Sequence, residues 1–406
     1  MMLVPQDRYA LPSKNDIKNV LKAINEIEAR LEQDPELVHT LAKELEALKA
    51  WAAPIRRLPF DILSLLFVEA SEQDWEAPLA LEQVCASWRA CLLHTPRAWV
   101  NIELSHRFSP GVMEKYLTRS RQCPIHLHVE AVSHSYALPL SRLTSRHASR
   151  ICSLEIDAAT TPRRKWHVST LKRLHIAGEA SGRLLFKALV WESPTLEFLS
   201  VGQVDILPSY RNKLRQYFAN LQHLVIRDAE GVDWVMIVEE CASTLQVLEL
   251  TFFEPSLSRV RQQLHFPLLH RLVIDSYSNQ WWLWPFDAVT PKLLSYSEFH
   301  SYARRDSSIL PAYHRNTESV VHLHTNRVPN FAQYPNLHCL HLSSTGMPLS
   351  YDAVRMVDAQ ARNSCPKFRG IFVNQSEGDV IDPKVTTESE EASSMMDTLK
   401  CALEMI

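Results

Sequence analysis

The sequence contains little glycine and lacks the motifs of the common catalytic and nucleotide-binding sites. Only 8 of its 406 residues are glycine, which argues against folds built on glycine-rich phosphate loops. It has no GxxxxGK(S/T) phosphate loop, no GxSxG nucleophile elbow, no HExxH zinc motif and no kinase pair of HRD and DFG. We therefore predict that the chain is not an enzyme, has no catalytic residue and requires no cofactor.

The cysteines, the net charge and the apolar runs exclude further classes of protein. The 8 cysteines are scattered singly, without a CxxC pair, which argues against a disulfide scaffold and a zinc ribbon. The formal net charge is -3, whereas a general nucleic-acid binder usually carries a basic excess. The first residues lack the apolar core of a secretory signal, and no run approaches the roughly 18 apolar residues of a membrane span. We expect a cytoplasmic or nuclear protein that binds neither nucleic acid nor membrane.

Histidine is abundant, at 18 residues, but its pattern does not predict a metal site. His322 and His324, and likewise His338 and His341, lie inside strand-like motifs at alternating or near-alternating spacing. No paired cysteines or carboxylate cluster accompany them, so solvated strand positions explain them better than metal ligation does. We predict no bound metal.

Residues 13–52 have the spacing of two helices. Apolar side chains recur at intervals of three and four over residues 17–31 and again over 37–48. Asp34 and Pro35 end the first pattern and suit the N-cap and first turn of a second helix. A hairpin and a dimerising coiled coil both fit, and the hairpin is favoured because the seam is short on each side of the proline.

Residues 54–101, which we call the helical block, predict a separate group of short helices. Proline occupies the first turn of a helix, a second helix is expected around residues 79–92, and Pro96 ends any helix there. The apolar side chains of these two helices are Ile62, Leu63, Leu66 and Phe67, then Leu81, Val84, Cys85, Trp88 and Leu92.

Residues 102–373 are dominated by a repeated motif of the form LxxLxI. Clear copies begin at residues 151, 171, 196, 221, 245, 269 and 337, and degenerate copies begin at 293, 320 and 368. From 151 to 293 the steps are 20, 25, 25, 24, 24 and 24 residues, a period typical of leucine-rich repeats. Each motif would form one short strand, with alternate apolar residues in a shared core. Because the asparagine-ladder positions hold Ala159, Glu179, Val204 and Ala229, we predict an irregular solenoid.

The predicted fold class is α+β and multi-domain. A helical hairpin at 13–52 and the all-α block at 54–101 precede an irregular α/β leucine-rich-repeat-like solenoid at 102–373. Residues 374–406 are polar, with the run TTESEEASS, and predict a flexible acidic tail.

The helical block resembles the F-box, especially the F-box-like domains abundant in mushroom-forming fungi. The spaced pattern RLPxDIL…VCxSWRxxLLxTPRxW carries the resemblance, and the order of helical lead-in, F-box and leucine-rich solenoid is similar to that family over roughly residues 16–373. The stretch EQDWEAP between the two helices departs from the pattern. The matching residues are Ile55, Leu58, Pro59, Ile62, Leu63, Leu66, Phe67, Val84, Cys85, Trp88, Arg89, Leu92, Thr95, Pro96 and Trp99.

This resemblance implies the substrate adaptor of an SCF-type ubiquitin ligase. The F-box would dock on a Skp-family adaptor, which is tethered through a cullin to the RING subunit, and the solenoid would hold a protein substrate near the reactive thioester. A repeat scaffold whose F-box serves assembly without degradation shares every sequence feature. The resemblance places Leu58, Pro59, Ile62, Leu63 and Leu66 at the Skp adaptor, and Phe67, Val84, Cys85, Trp88, Leu92 and Trp99 in the F-box core.

Strand residues beside the apolar positions would point to the concave face of the solenoid. This surface of mixed charge is a candidate substrate-binding site, and ordinary solvated strand positions explain the same pattern equally well. Its residues are Glu155, Asp157, Arg173, His175, His223, Arg227, Glu249, Arg271, Asp275, His322, His324 and His341.

Overall fold

The computed structural model divides the chain into two compact units, Met1–Thr244 and Leu245–Ile406. Helices occupy the N-terminal part of the first unit, and parallel β-structure follows in both units. This is the predicted α+β class, with helices first and parallel strands after them. Of the predicted acidic tail, only Asn374 is described. The structure describes residues 13–33, 38–104, 109–129, 146–157, 166–177, 189–190, 195–203, 217–229, 233–252, 262–276, 286–300, 317–343 and 351–374.

The first unit begins with a helical hairpin formed by α1 (Lys14–Gln33) and α2 (Val38–Ala52). The main-chain nitrogen of Asp16 donates to the Ser13 hydroxyl at 3.2 Å, and that of Ser13 donates to the Asp16 carboxylate at 3.0 Å. These bonds form a capping box that fixes the start of α1. The two helices pack on each other within one chain. Their shared core consists of Val20, Ala23, Ile24, Ile27, Leu48 and Trp51.

The helical block packs around the buried side chain of Trp99. The indole Nε1 of Trp99 donates a hydrogen bond to the main-chain oxygen of Leu92 at 3.0 Å. The buried hydroxyl of Thr95 donates to the main-chain oxygen of Cys91 at 2.8 Å, so the carbonyls at the end of the preceding helix have partners. The elements of the block are a 3-10 turn at Pro54–Arg57, α3 (Phe60–Gln73), α4 (Ala77–Val84), α5 (Ala86–Leu93) and a second 3-10 turn at Pro96–Trp99.

The prediction of one helix around residues 79–92 is wrong, because the helix is interrupted at Cys85. The Cys85 backbone is extended, with φ of −160° and ψ of 168°, so α4 ends at Val84. The Cys85 thiol then caps α5 by accepting a hydrogen bond from the main-chain nitrogen of Trp88 at 3.4 Å. Cysteine is not among the usual N-cap residues, so the sequence carries no capping signal at this break.

A parallel sheet of six described strands follows in the first unit. Its strands are β1 (Asn101–Leu104), β2 (Ile125–Val129), β3 (Ile151–Asp157), β5 (Arg173–Ala177), β7 (Phe198–Gln203) and β8 (His223–Asp228). They lie side by side in that order, each parallel to the next. Helix α6 (Pro110–Arg119) comes between β1 and β2, and α7 (Asp233–Cys241) follows β8. Strands β4 (Trp166–His167) and β6 (Leu189–Val190) form a separate parallel pair.

The second unit contains a matching set of six described parallel strands. These are β9 (Val247–Phe252), β11 (Arg271–Ser276), β13 (Ser295–His300), β14 (His322–Thr325), β15 (Cys339–Ser343) and β16 (Gly370–Asn374). They also lie in chain order. Strands β10 (Gln262–His265) and β12 (Phe286–Val289) pair in parallel beside them, and α8 (Tyr351–Ser364) precedes β16.

The motif copies at 151, 171, 221 and 245 bury alternate strand side chains, as the sequence pattern predicts, whereas the copies at 196 and 337 also bury Ser200 and Cys339 on the opposite face. In the copy at 171–176, Leu171, Leu174 and Ile176 are buried, whereas Arg173 is exposed. The motif therefore supplies one core face to its sheet. The opposite face carries the third and fifth residues of each motif, and we call it the open face.

Hydroxyl groups that the motif does not predict also join successive repeats. At four copies, the threonine or serine immediately before the motif donates a hydrogen bond to the carbonyl of the first residue in the preceding motif. Thr195 bonds in this way to Leu171, and Thr244 bonds to Leu221, both at 2.8 Å. The signal in the sequence is a threonine or serine just before the motif. Of the four predicted asparagine-ladder positions, three lie outside the described residues, and Ala229 is buried.

Candidate partner-binding surfaces

Helix α3 exposes a group of large apolar side chains. The helix starts after Pro59, whose carbonyl accepts a hydrogen bond from the main-chain nitrogen of Leu63 at 3.0 Å. Ile62, Leu65 and Leu66 are three and four residues apart and therefore share one side of the helix, where the side chain of Leu65 is 60% exposed. We call the exposed group Phe60, Ile62, Leu65 and Leu66 the α3 patch.

The residues predicted to contact the Skp adaptor differ in their exposure. Pro59, Ile62 and Leu66 are exposed and Leu58 is half-buried. The prediction for Leu63 is wrong, because its side chain is only 6% exposed and lies on the inward side of α3, one helical turn before the buried Phe67. The sequence reasoning also missed Phe60 and Leu65, both exposed. The signal was present in FDILSLLF, which is apolar on both sides of a helix.

The residues predicted for the core of the helical block are buried or half-buried, with one exception. The rings of Phe67 and Trp88 pack with their centroids 5.1 Å apart, Leu92 and Trp99 are fully buried, and Cys85 is half-buried. The prediction for Val84 is wrong. It is 60% exposed, because α4 ends there and the chain turns into the extended backbone of the next residue.

A buried carboxylate connects the helical block to α6 through two ion pairs. Glu82 in α4 forms ion pairs with Lys115 and Arg119, and the Arg119 guanidinium also lies 4.4 Å from the centroid of the Trp99 ring. Burial alone would raise the pKa of the Glu82 carboxyl. The hydrogen bonds and positive charges of the two cations outweigh that effect and lower the pKa below its ordinary value. The ionised triad thus holds the position of α4.

On the open face of the first unit, one carboxylate lies between two imidazoles. The strand register aligns His128 of β2 with Glu155 of β3, and Glu155 with His175 of β5. Each imidazole Nε2 is 3.9 Å from the same oxygen of Glu155. Burial lowers the pKa of His175; Glu155 opposes this change, and the charges of Arg227 and His128 add to it.

The next row of the same face combines a cation with two rings. The Arg173 guanidinium lies 4.4 Å from the centroid of the Phe198 ring, and the His223 ring packs edge-on against Phe198 at 4.7 Å. Predicted residues Arg173 and His223 are thus brought together through a phenylalanine that the sequence reasoning did not select. The side chain of Asp157 lies outside the described residues.

The open face of the second unit has a charged end and an aromatic end. Arg271 pairs with Glu249 at 3.4 Å across β11 and β9, and Asp275 is half-buried on the same strand. Across β13–β16 the centroids of neighbouring rings are 4.5, 5.5 and 4.8 Å apart. We call this group the ring row, and its members are Phe299, His324, His341 and Phe372.

His322 lies on β14 beside the ring row. Two of the three histidines predicted there therefore contact each other, and His322 is their neighbour. Burial lowers the pKa of His322, with a further effect of His338 and Arg369. Burial also lowers the pKa of His324, followed by the charge of Arg271. Both imidazoles are consequently neutral at pH 7.

The comparisons add no family to this description. A scan against protein-family models, a search of curated proteins and a search of solved structures each return no match to this chain. Among the described helices, none is long and apolar enough to cross a membrane. The described residues also contain no group of three or more His, Cys, Asp and Glu side chains suited to a metal ion. The α3 patch and the two open faces are therefore the candidate sites.

Proposed function

We propose that this chain is the substrate adaptor of an SCF-type ubiquitin ligase. Its helical block is an F-box-like domain that docks on a Skp-family adaptor and, through it, on the cullin and RING subunits. Its repeats form a leucine-rich-repeat-like solenoid that binds a protein substrate on the open face. The chain performs no chemistry itself and accelerates ubiquitin transfer by bringing the substrate close to the thioester.

The α3 patch is the observation that carries this proposal. Single exposed leucines are ordinary on protein surfaces, but four large apolar side chains within seven residues of one helix are typical of a binding site. Fully burying such a side chain contributes about 1.5–3 kcal/mol, and association consumes much of that gain. The patch also coincides with the segment in which the sequence resembles the F-box, and Ile62 and Leu66 belong to both.

The solenoid part of the proposal is supported by strand order and repeat length. Within each unit the main strands lie side by side in chain order, and the pairings from β3 to β8 and from β9 to β16 join equivalent positions of successive motifs, such as Arg271 with Ser295. Short parallel strands in chain order, joined by segments of near-constant length, are the signature of a repeat architecture.

The test is copurification of the full chain with a Skp-family adaptor. The wild type should bind with one-to-one stoichiometry, and an Ile62→Asp/Leu66→Asp double variant should lose binding because the patch becomes charged. The control is Leu21→Asp on α1, since Leu21 is 49% exposed and Leu66 is 46% exposed. A folded wild-type chain that does not bind the adaptor would overturn the proposal.

A second measurement separates a ligase adaptor from a non-degradative scaffold. The reconstituted complex with cullin, RING subunit and ubiquitin-conjugating enzyme should ubiquitinate a protein that copurifies with the wild type. The Ile62→Asp/Leu66→Asp variant should bind the same protein without its modification. If the assembled complex binds its partner and transfers no ubiquitin to it, the scaffold explanation holds.

A further inference from the structure

The ring row forms an uncharged aromatic strip on an otherwise polar face. His324 pairs in register with His341, and His341 with Phe372, on neighbouring parallel strands. The His341 and Phe372 rings are stacked, with an interplanar angle of 16°. Burial lowers the pKa of His341 to about 4, with smaller effects from His324 and His322. Near neutral pH, the imidazoles therefore offer ring faces and hydrogen-bonding nitrogens rather than charge.

No carboxylate of the described strands β13–β16 faces the ring row. The carboxylate within these strands belongs to Glu298, which is buried on the core face and accepts a hydrogen bond from the Tyr296 hydroxyl at 2.6 Å. At the charged end of the sheet, Glu249 is occupied by Arg271. On the open face, Asp275 of β11 is in register with Phe299, whereas β15 and β16 contain no carboxylate. A partner with negative charge would therefore place its carboxylates toward β15 and β16.

Cations border the same end of the sheet. Lys367 and Arg369 stand where the chain enters β16, and we call this pair the basic edge. Burial, followed by the charges of Arg369 and Lys367, lowers the pKa of His338, which stands where the chain enters β15. The main-chain nitrogen of Arg369 donates to the carbonyl of His338 at 2.8 Å, so the two residues are neighbours.

We infer that the ring row and the basic edge together bind an extended, acidic protein segment that carries an aromatic side chain. The aromatic side chain would stack on the imidazole rings, and the carboxylates would lie against the basic edge. Four strands at about 4.8 Å spacing span about 14 Å, which is the length of four or five extended residues. As a statement about the ligase substrate, this inference rests on the proposed function and names the class of segment recognised.

Two other occupants are less well matched to the surface. A single-stranded nucleic acid also stacks on rings, but it needs a longer basic groove, and the chain carries a formal net charge of -3. The chain's own residues 375–406 contain the acidic run TTESEEASS but no aromatic residue to place on the rings. Both remain distinct outcomes of the test.

The test is selection of a random 12-residue peptide library on the immobilised full chain. Selected peptides should be enriched in Asp and Glu around an aromatic residue. In fluorescence anisotropy with one such labelled peptide, a His324→Ala/His341→Ala variant should bind at least tenfold more weakly. The matched control is His128→Ala/His175→Ala, which removes two half-buried histidines from the open face of the first unit. A Lys367→Glu/Arg369→Glu variant changes only exposed positions and should also bind at least tenfold more weakly.

Several results would overturn the inference. These are selected peptides without acidic enrichment, binding that the ring-row and basic-edge variants leave unchanged, or tighter binding of a labelled oligo-dT than of the peptide. If peptides bind only after Glu388, Glu390 and Glu391 are changed to Gln, the chain's own C-terminal segment occupies the surface instead.

Failure of this inference can be told apart from failure of the proposed function. The Ile62→Asp/Leu66→Asp variant should bind the selected peptide normally while losing the Skp adaptor. The His324→Ala/His341→Ala variant should bind the adaptor normally while losing the peptide. If the wild-type chain binds the adaptor but no peptide, the inference about the ring row and the basic edge is wrong and the proposed function stands.

Discussion

Thr195 donates its hydroxyl hydrogen bond to the main-chain carbonyl of Leu171, 24 residues earlier in the chain, at a distance of 2.8 Å. The same contact recurs in the second unit between Ser319 and Leu293 at 2.9 Å. Each of these bonds gives a partner to a carbonyl at the start of a strand, where the sheet pairing does not yet provide one. These hydrogen bonds therefore connect successive repeats independently of apolar packing.

We predict that Thr195→Val lowers the free energy of unfolding by about 1 kcal/mol. Valine keeps the shape of threonine but removes the donor, so the Leu171 carbonyl loses its partner. Urea unfolding followed by circular dichroism measures the change. Thr195→Ser should retain most of the stability, and Thr118→Val at an exposed position of α6 should have little effect. Equal stability of Thr195→Val and the wild type would refute this role.

Glu82→Gln should destabilise the first unit by about 2 kcal/mol. The variant would leave Lys115 and Arg119 without their anion in a partly buried place. Because the pKa of Glu82 is lowered on folding, its contribution is present above the ordinary carboxyl pKa and is lost as pH falls through the folded value.

Denaturant unfolding at pH 7 and at pH 3.5 measures both effects of the Glu82 variant. The wild type should lose more stability between these pH values than Glu82→Gln does. A variant with the same pH dependence as the wild type would show that the triad contributes no stability through its charge.

Leu63→Ala should mainly lower the stability of the helical block, whereas Leu65→Ala should mainly weaken adaptor binding. Leu63 is buried and Leu65 is exposed, so the first change creates a cavity that costs about 2–4 kcal/mol. The second should alter stability by less than about 0.5 kcal/mol but weaken adaptor binding. Thermal unfolding and adaptor copurification of both variants distinguish the two roles, and equal stability losses would contradict the orientation of α3.

The second unit should lose stability as the pH falls from about 6.5 toward 4. The pKa of His341 is lowered from 6.5 to about 4 on folding, so in this range the unfolded chain binds a proton that the folded chain does not. His341→Phe retains the ring against Phe372 and should show a smaller loss of melting temperature between pH 7.5 and 4.5. His322 and His324 also have lowered pKa values, so part of the dependence should persist. If the melting temperature of His341→Phe falls with pH as steeply as that of the wild type, the pH dependence does not come from His341.

The sequence predicted the elements whose side chains repeat with one clear period. The two N-terminal helices and the strands of the LxxLxI motifs follow directly from that spacing. It misplaced Leu63 because α3 is apolar on both sides, and periodicity alone does not choose which side faces the core. It missed the break at Cys85 because the cap is a thiol, and it missed the exposure of Val84 because that exposure depends on the break.

Contacts between residues far apart in the chain lay beyond sequence reasoning. Glu82 meets Lys115 from 33 positions away, and nothing in either local pattern links them. The ring row similarly required the register that sets His341 beside both His324 and Phe372. The histidines were visible as strand residues, but their stacking depends on which strands are neighbours.

The chain-order pairing of strands within each unit also determines how the protein would respond to force. Because Arg271 pairs with Ser295, 24 residues later, each pairing closes a loop of one repeat. Tension applied to the end of the chain would act first on the outermost pair of strands, and the other strand pairs would bear no load until it separates. Such a molecule would yield in a series of small extensions, each releasing about 80 Å of chain, instead of in one large rupture.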